Sequence, residues 1–435
     1  VSAIRYASVL GLGFGDCGKG RFVDALARRW QAHTIVRFNG GAQAGHNVVT
    51  DDAHHTFSQF GAATFVPGVR TLLLDPMIVH PTALLVEAQV LAAAGVSDAL
   101  SRLQIDGQCR ITTPFHQAAG RMRELLRGSA AHGTCGVGVG ETVRHALEHP
   151  QQVLRYADLL QVNESLEKLQ AVRKTLLAEL EPLCSPEYME ELRVLQSERI
   201  AAEWLNSVRA LARQCPPASA EAIHSRLTQA GTVLFEGAQG VLLDEWRGFH
   251  PHTTWSSIST AAVEQVLAHF GISTQAEHYG VLRTYLTRHG AGPLPTEDTA
   301  LDAMLPEPHN TAQGWQGHFR RGHPDAVLLR YALESIGSLT GLLVSHLDVF
   351  ARGVKLKWSH AYQTNAGSLS RLPIAAKPDL AHQQELTDLL INATPVFDPS
   401  PITSSTAFLD HLASAASLPV KMTSHSNGNR DVVEL

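Results

Sequence analysis

No apolar run in this chain approaches the roughly 18 residues that a membrane-crossing helix needs, and its start shows no signal peptide. These absences predict a cytoplasmic protein with no membrane partner. Cysteine is scarce: Cys17, Cys109, Cys135, Cys184 and Cys215 are odd in number and never spaced C-x-x-C, which suits free thiols in a reducing compartment. Positive charge is not in excess either. With 35 Lys and Arg against 41 Asp and Glu, the net charge of -6 argues against non-specific binding to nucleic acid or to membrane surfaces. The 23 histidines make that charge soft near pH 6, and their number alone indicates no metal site. No repeat, low-complexity tract or Gly/Ser linker divides the 435 residues, so the expectation is one α/β domain over 1–435. A hydrophobic content of 44% gives it ample core.

What is present is glycine in organised places. Gly11-Leu-Gly-Phe-Gly-Asp16-Cys-Gly-Lys19-Gly20 follows the apolar run Ala7–Leu10 and precedes the amphipathic run Arg21–Trp30. Strand, glycine turn and helix form the setting in which backbone N–H groups and a helix N-terminus hold phosphate. Gly15, Gly18, Lys19 and Gly20 therefore become phosphate-site candidates. Two familiar loops match only in part. A P-loop needs Ser or Thr after its lysine, where this chain has Gly20; a dinucleotide loop needs a carboxylate after the next strand, where it has Asn39-Gly-Gly41. Asp16 inside a phosphate loop would repel its ligand unless it binds metal or moves a proton. Its plain alternative is a helix cap.

Further along, Gly40-Gly-Ala-Gln-Ala-Gly45-His46 places a proton carrier between glycines, although His46 could equally cap a turn. His132-Gly-Thr134-Cys135-Gly-Val-Gly-Val-Gly140 is too glycine-rich for a core strand and suits backbone binding to phosphate or a base edge. Residues 141–229 read as a polar helical excursion closed by Pro216-Pro217. The sheet pattern then resumes at Thr232–Phe235 and runs into Glu236-Gly-Ala-Gln239-Gly240, a turn suited to the carboxyl edge of a parallel sheet. Thr254 stands near Ser256 and Ser257, for which helix capping is the simpler role. Val281–Thr287 reads as one strand ending at Arg288. Asn310–Gly322 reads as a mobile loop whose Arg320 and Arg321 could close on a carboxylate, or form a solvated face. Asp348, just past the strand Leu342–Ser345, could accept from the N1–H and 2-amino group of guanine, or form a cap or salt bridge. The tail loop Ser424-His-Ser426-Asn-Gly428-Asn-Arg430 is polar and turn-rich.

Gly15-Asp-Cys-Gly-Lys-Gly20, Gly40–His46, Phe235-Glu-Gly-Ala-Gln-Gly240 with Leu242-Leu-Asp244, Thr287-Arg-His-Gly-Ala-Gly-Pro-Leu-Pro-Thr-Glu297 and Leu347-Asp348 occur in one order over nearly the whole chain. In this the sequence resembles the adenylosuccinate synthetase family. The resemblance implies a large, mostly parallel central sheet with flanking helices, a P-loop-like nucleotide-binding fold, and a homodimer. It also implies ligation of L-aspartate to IMP, driven by GTP with Mg²⁺. On it, Asp16 matches the base that takes the N1 proton, and also a metal ligand together with the Gly45 carbonyl. His46 matches the residue that bonds the transferring phosphoryl. Lys19 and Gln239 would stabilise charge there. Thr134, Cys135 and Thr254 fall on the purine monophosphate site, and Arg320 or Arg321 on the aspartate carboxylates. Arg288, Asp348, Ser426 and Gly428 fall on nucleotide-contact positions.

This chain also departs from the family pattern. Cys17, Ala42, Gln43, Cys135, His346 and Trp315-Gln-Gly stand where the family has other residues. The arginine donated across the family dimer has no clean counterpart; Arg144 is taken for it. The variations at Trp315 and His346 resemble the branch that makes 2-aminoadenylosuccinate from (d)GMP with ATP or dATP, whereas Asp16 should crowd a purine 2-amino group and favours IMP. A dinucleotide-dependent oxidoreductase and a non-catalytic nucleotide-binding paralogue are the other readings. The missing ribose carboxylate opposes the first; joint retention of Asp16, Lys19, His46 and Gln239 opposes the second.

Overall fold

Ile4–Gly11 (β1) alternates its side chains, with Tyr6 and Leu10 on one face and Ala7 and Val9 on the other, and all four are buried. A strand apolar on both faces must lie inside a sheet covered on both sides, and this one does. The computed structural model describes residues 4–51, 53–183, 185–307, 315–426 and 428–435. In it, Ala32–Arg37 (β2) follows the helix Lys19–Arg29, and His46–Val49 (β3) pairs with His54–Phe57 (β4) as a separate hairpin. Arg70–Leu73 (β5), Leu103–Asp106 (β6), Pro217–Ala218 (β7) and Gly231–Glu236 (β8) extend one half of the main sheet. Glu277–Arg283 (β9) returns beside β1. Leu286–His289 (β10) then leaves the sheet to pair with Phe319–Gly322 (β11). Gly341–Ser345 (β12) re-enters it. Ser359–Thr364 (β13), Gly367–Leu369 (β14) and Thr394–Phe397 (β15) form a small antiparallel sheet. Val420–Ser424 (β16) and Val432–Glu434 (β17) close the edge.

The main sheet has ten strands in the order β17-β16-β12-β9-β1-β8-β2-β5-β6-β7. All its pairings are parallel except β16 with β17. Two large apolar clusters cover the two faces, so that Leu234 and Leu343 join one and Val233, Phe235, Leu342 and Val344 the other. The expected α/β class and mostly parallel sheet are therefore present. The order in which strands are added reverses beside β1, and the carboxyl ends of β1, β2, β8, β9 and β12 emerge at one edge. That is where open parallel sheets bind ligands.

Three local expectations need correction. Val281–Thr287 is two strands, because the chain leaves the parallel sheet after Arg283 to form the antiparallel β10–β11 pair. Residues 319–322, expected in a loop, are β11, while Asn310 to Gly314 of that segment lie outside the described residues. The helical excursion holds helices Val162–Leu180, Met189–Gln196 and Arg199–Gln214. However, Pro217 does not merely punctuate its end; it forms the outermost strand, the place where a residue without N–H is tolerated. Cys17, Cys109, Cys135 and Cys215 are free thiols; Cys184 lies outside the described residues. Among the described residues no helix is long and apolar enough to cross a membrane.

Candidate active site

The loop after β1 enters its helix through Gly18 (φ 90°), and no side chain caps that helix. Asp16 is thus free of the capping role and half-buried in a cleft of about 360 Å³, within the ordinary size range for small-ligand sites. Gly15, Lys19, Gly45, His46 and Gln239 line the same cleft. Thr134, Cys135, Arg144, Thr254 and Arg288 line it as well. A neighbouring cavity of about 150 Å³ shares Gly15, Asp16, Lys19, Gly45 and His46, and adds Gly18, Gly20 and Asp348. The sites expected for an acceptor and for a triphosphate thus adjoin along one loop.

Gly20 has a packing reason. A Cβ there would lie 2.9 Å from the Cβ of His46 and 3.0 Å from the Asn47 carbonyl oxygen, so β3 crosses where a P-loop would carry its hydroxyl. Lys19 Nζ donates to the carbonyl oxygens of Gly15 and Gln239, both at 2.6 Å. Gln239 holds φ 64° and His346 φ 64°, two of the four non-glycine residues with positive φ among the described residues. Such conformations cost about 1–3 kcal/mol each and cluster at functional sites.

His46 does not cap a turn. Its Nδ1 meets Glu236 Oε1, both side chains being buried. Burial, only partly opposed by the Glu236 carboxylate, holds the His46 imidazole down to about 4. Burial raises the Glu236 carboxyl, but Arg37 and His46 outweigh it and the net shift is downward. The pair is therefore a neutral imidazole donating from Nδ1 to a carboxylate, which leaves Nε2 as the imidazole's other polar atom. Glu236 also accepts from the Ala62 N–H at 2.9 Å. The sequence named Glu236 only as part of a turn; the signal was a carboxylate ending a buried strand. At Asp16, burial raises the carboxyl, but His289, Arg283 and Lys19 pull it below the ordinary value.

Ser256 and Ser257 were expected to cap a helix, and neither does. Ser259 caps Thr260–His269, while Ser256 Oγ accepts from the Gly40 N–H at 3.1 Å and Ser257 donates to Glu245 at 2.5 Å. The first of these contacts pins the second glycine loop to the Thr254 segment. Gly136 (φ 69°) lies against Trp315, whose ring would be 2.6 Å from any Cβ there, so Trp315 rests on the Thr134–Cys135 loop.

Other expected residues stand differently. Arg288 donates to the carbonyls of Ala291, Pro293 and His252 and stacks over Phe14 at 4.3 Å. Arg144 is engaged within its own chain, by Glu141 at 2.7 Å and Glu179 at 3.0 Å, and by Glu148. Asp348 pairs with Arg352 at 3.3 Å. Arg321 was expected at a carboxylate of the ligand; it does not line the cleft. Alternation along β11 turns it to Asp302 (2.8 Å) and the Leu305 carbonyl (2.6 Å). Arg320 also lies outside the cleft lining, pairs with Glu297 and donates to the Gly292 carbonyl, but its Nε is buried without a partner among the described residues. The Gly428 N–H donates to Ser426 Oγ, which donates to Asp431, and neither Ser426 nor Gly428 lines either cavity.

The chain matches the family model described as adenylosuccinate synthetase over residues 8–427. It is 32% identical to the adenylosuccinate synthetase of Vibrio cholerae serotype O1 (strain O395) over 403 residues, 92% of this chain and 88% of that protein. The Shewanella frigidimarina enzyme of the same name matches at 32% over the same shares. Among solved structures, the fully ligated Plasmodium falciparum adenylosuccinate synthetase superposes with a TM-score of 0.78 at 19% identity, covering 100% of both chains. The cyanophage S-2L succinoaminodeoxyadenylate synthetase bound to dGMP and dATP gives 0.61 at 16% identity, over 99% of this chain and 95% of that one. By the length of the family match and by the identity to these relatives, the chain belongs to the adenylosuccinate synthetase family of ligases.

Proposed function

We propose that this protein joins L-aspartate to IMP at the expense of GTP, through a 6-phosphoryl intermediate. The observation that carries the reading is an uncapped Asp16 in the cleft that also holds Lys19, Gln239 and the His46–Glu236 pair. A purine 6-oxo group leaves poorly until it is phosphorylated, and it attacks phosphorus well only after N1 loses its proton. The Asp16 carboxylate takes that proton. O6 then attacks the γ-phosphoryl and displaces GDP. Lys19, the loop N–H groups and Gln239 offset the charge that develops. The incoming negative charge favours a proton on His46 Nε2, with Glu236 holding Nδ1–H, so that His46 bonds the phosphoryl and later the departing phosphate. The aspartate amine replaces phosphate at C6.

The donors at Asp16 and Gly45 are a carboxylate and a carbonyl, hard oxygens of the kind Mg²⁺ accepts beside phosphate oxygens. The ion, when bound, would supply neutralisation of the triphosphate charge. Arg320, with its free Nε, is assigned to the aspartate carboxylates in place of Arg321. Thr134, Cys135 and Thr254 serve the acceptor monophosphate, and Asp348 the triphosphate base. A homodimer is part of the same reading, supported by family membership.

The main rival is (d)GMP as acceptor with ATP or dATP, supported by the fold shared with the phage enzyme. A carboxylate fixed beside N1 leaves little room for a 2-amino group, and one misplaced donor outweighs a peripheral likeness. Incubation with aspartate, Mg²⁺ and each triphosphate should give a succinyl adduct of IMP faster than of dGMP, read by product mass. A faster dGMP adduct would overturn the choice of acceptor.

A further inference from the structure

We infer that His289 is the positioning residue for Asp16, holding one carboxylate oxygen so that the other stays turned to the acceptor; this rests on the reading of Asp16 as the base. Alternation along β10 puts Thr287 and His289 on one face and Arg288 on the other. The Thr287 hydroxyl donates to the backbone carbonyl of Asp16 at 3.3 Å, and His289 Nε2 lies 3.3 Å from Asp16 Oδ2. One strand thereby grips the loop at both its backbone and its side chain, while Arg288 is spent on three carbonyls elsewhere. The imidazole is itself fixed. His289 is in register with Phe319 of β11, whose ring meets it at 4.6 Å and 61°. Its Nδ1 is buried without a partner among the described residues, so the ring's hydrogen bonding is directed to Asp16. With the proton on Nε2, His289 donates to Oδ2 and leaves Oδ1 free for the N1 proton.

Substituting His289→Val should lower kcat about 10-fold or more, because a carboxylate displaced by an ångström loses its alignment. KM for IMP and GTP should stay within about twofold, since neither nucleotide's binding depends on which carboxylate oxygen is free. His289→Gln, whose amide nitrogen reaches nearly the same point, should restore most of the rate. An unchanged kcat in His289→Val, or equal loss in both variants, would overturn the inference. The contact is also readable without turnover. In protein labelled with ¹⁵N-histidine, Asp16→Ala should move the His289 Nε2 signal, identified by its loss in His289→Gln; a signal that stays in place would equally refute it. If the unsubstituted protein releases no phosphate with any purine monophosphate while that signal still moves, the ligase reading falls and the positioning contact stands.

Discussion

Asp16→Asn should leave the fold and nucleotide binding intact and lower phosphate release on the order of 100-fold or more, the scale for deleting a positioned acid or base. The structure makes this a clean substitution. Asp16 caps no helix, so no helix end loses a partner. The replacing amide has the same volume, and its oxygen can still accept from His289. What disappears is the basic oxygen and the charge beside Lys19. Steady-state phosphate release, with nucleotide binding measured separately, tests this. Near-normal turnover would mean that another group takes the N1 proton.

Glu236→Ala should be costly in a second way. The carboxylate is fully buried and serves His46 Nδ1, the Ala62 N–H and the charge of Arg37, which is itself buried to 0% exposure. Removing it leaves the buried Ala62 N–H and His46 Nδ1 without their acceptor, at about 1–3 kcal/mol for each group left unsatisfied. The urea midpoint should fall accordingly. Glu236→Gln keeps the volume and most hydrogen bonds, so it should fold, yet lose phosphate release on the order of 100-fold because His46 loses its anionic partner. An Ala variant with an unchanged midpoint would contradict this cost.

What the sequence made legible was contiguous. The loop from Gly11 to Gly20 lies within one strand, turn and helix, so its chemistry could be taken from neighbours in the chain. Contacts between distant segments could not. His46 and Glu236 are 190 positions apart, and each motif looked complete without the other. In a loop, Arg320 and Arg321 are equivalent. Once the segment is a strand, neighbours face opposite sides, and Arg320 Nε is the buried nitrogen left without a partner among the described residues. His289 was visible inside its glycine motif, but nothing nearby showed that β10 would lay it on Asp16. The helical excursion was legible in outline. Its closing Pro217 was not, because an edge strand of two residues carries no periodicity.

In the proposed reaction, O6 of the purine is phosphorylated before aspartate displaces it. IMP labelled with ¹⁸O at C6 tests this directly, with GTP, Mg²⁺ and aspartate present and the released phosphate analysed by mass. If the account holds, each phosphate carries one ¹⁸O taken from the purine. Phosphate without the label, released as succinyl adduct accumulates, would contradict it.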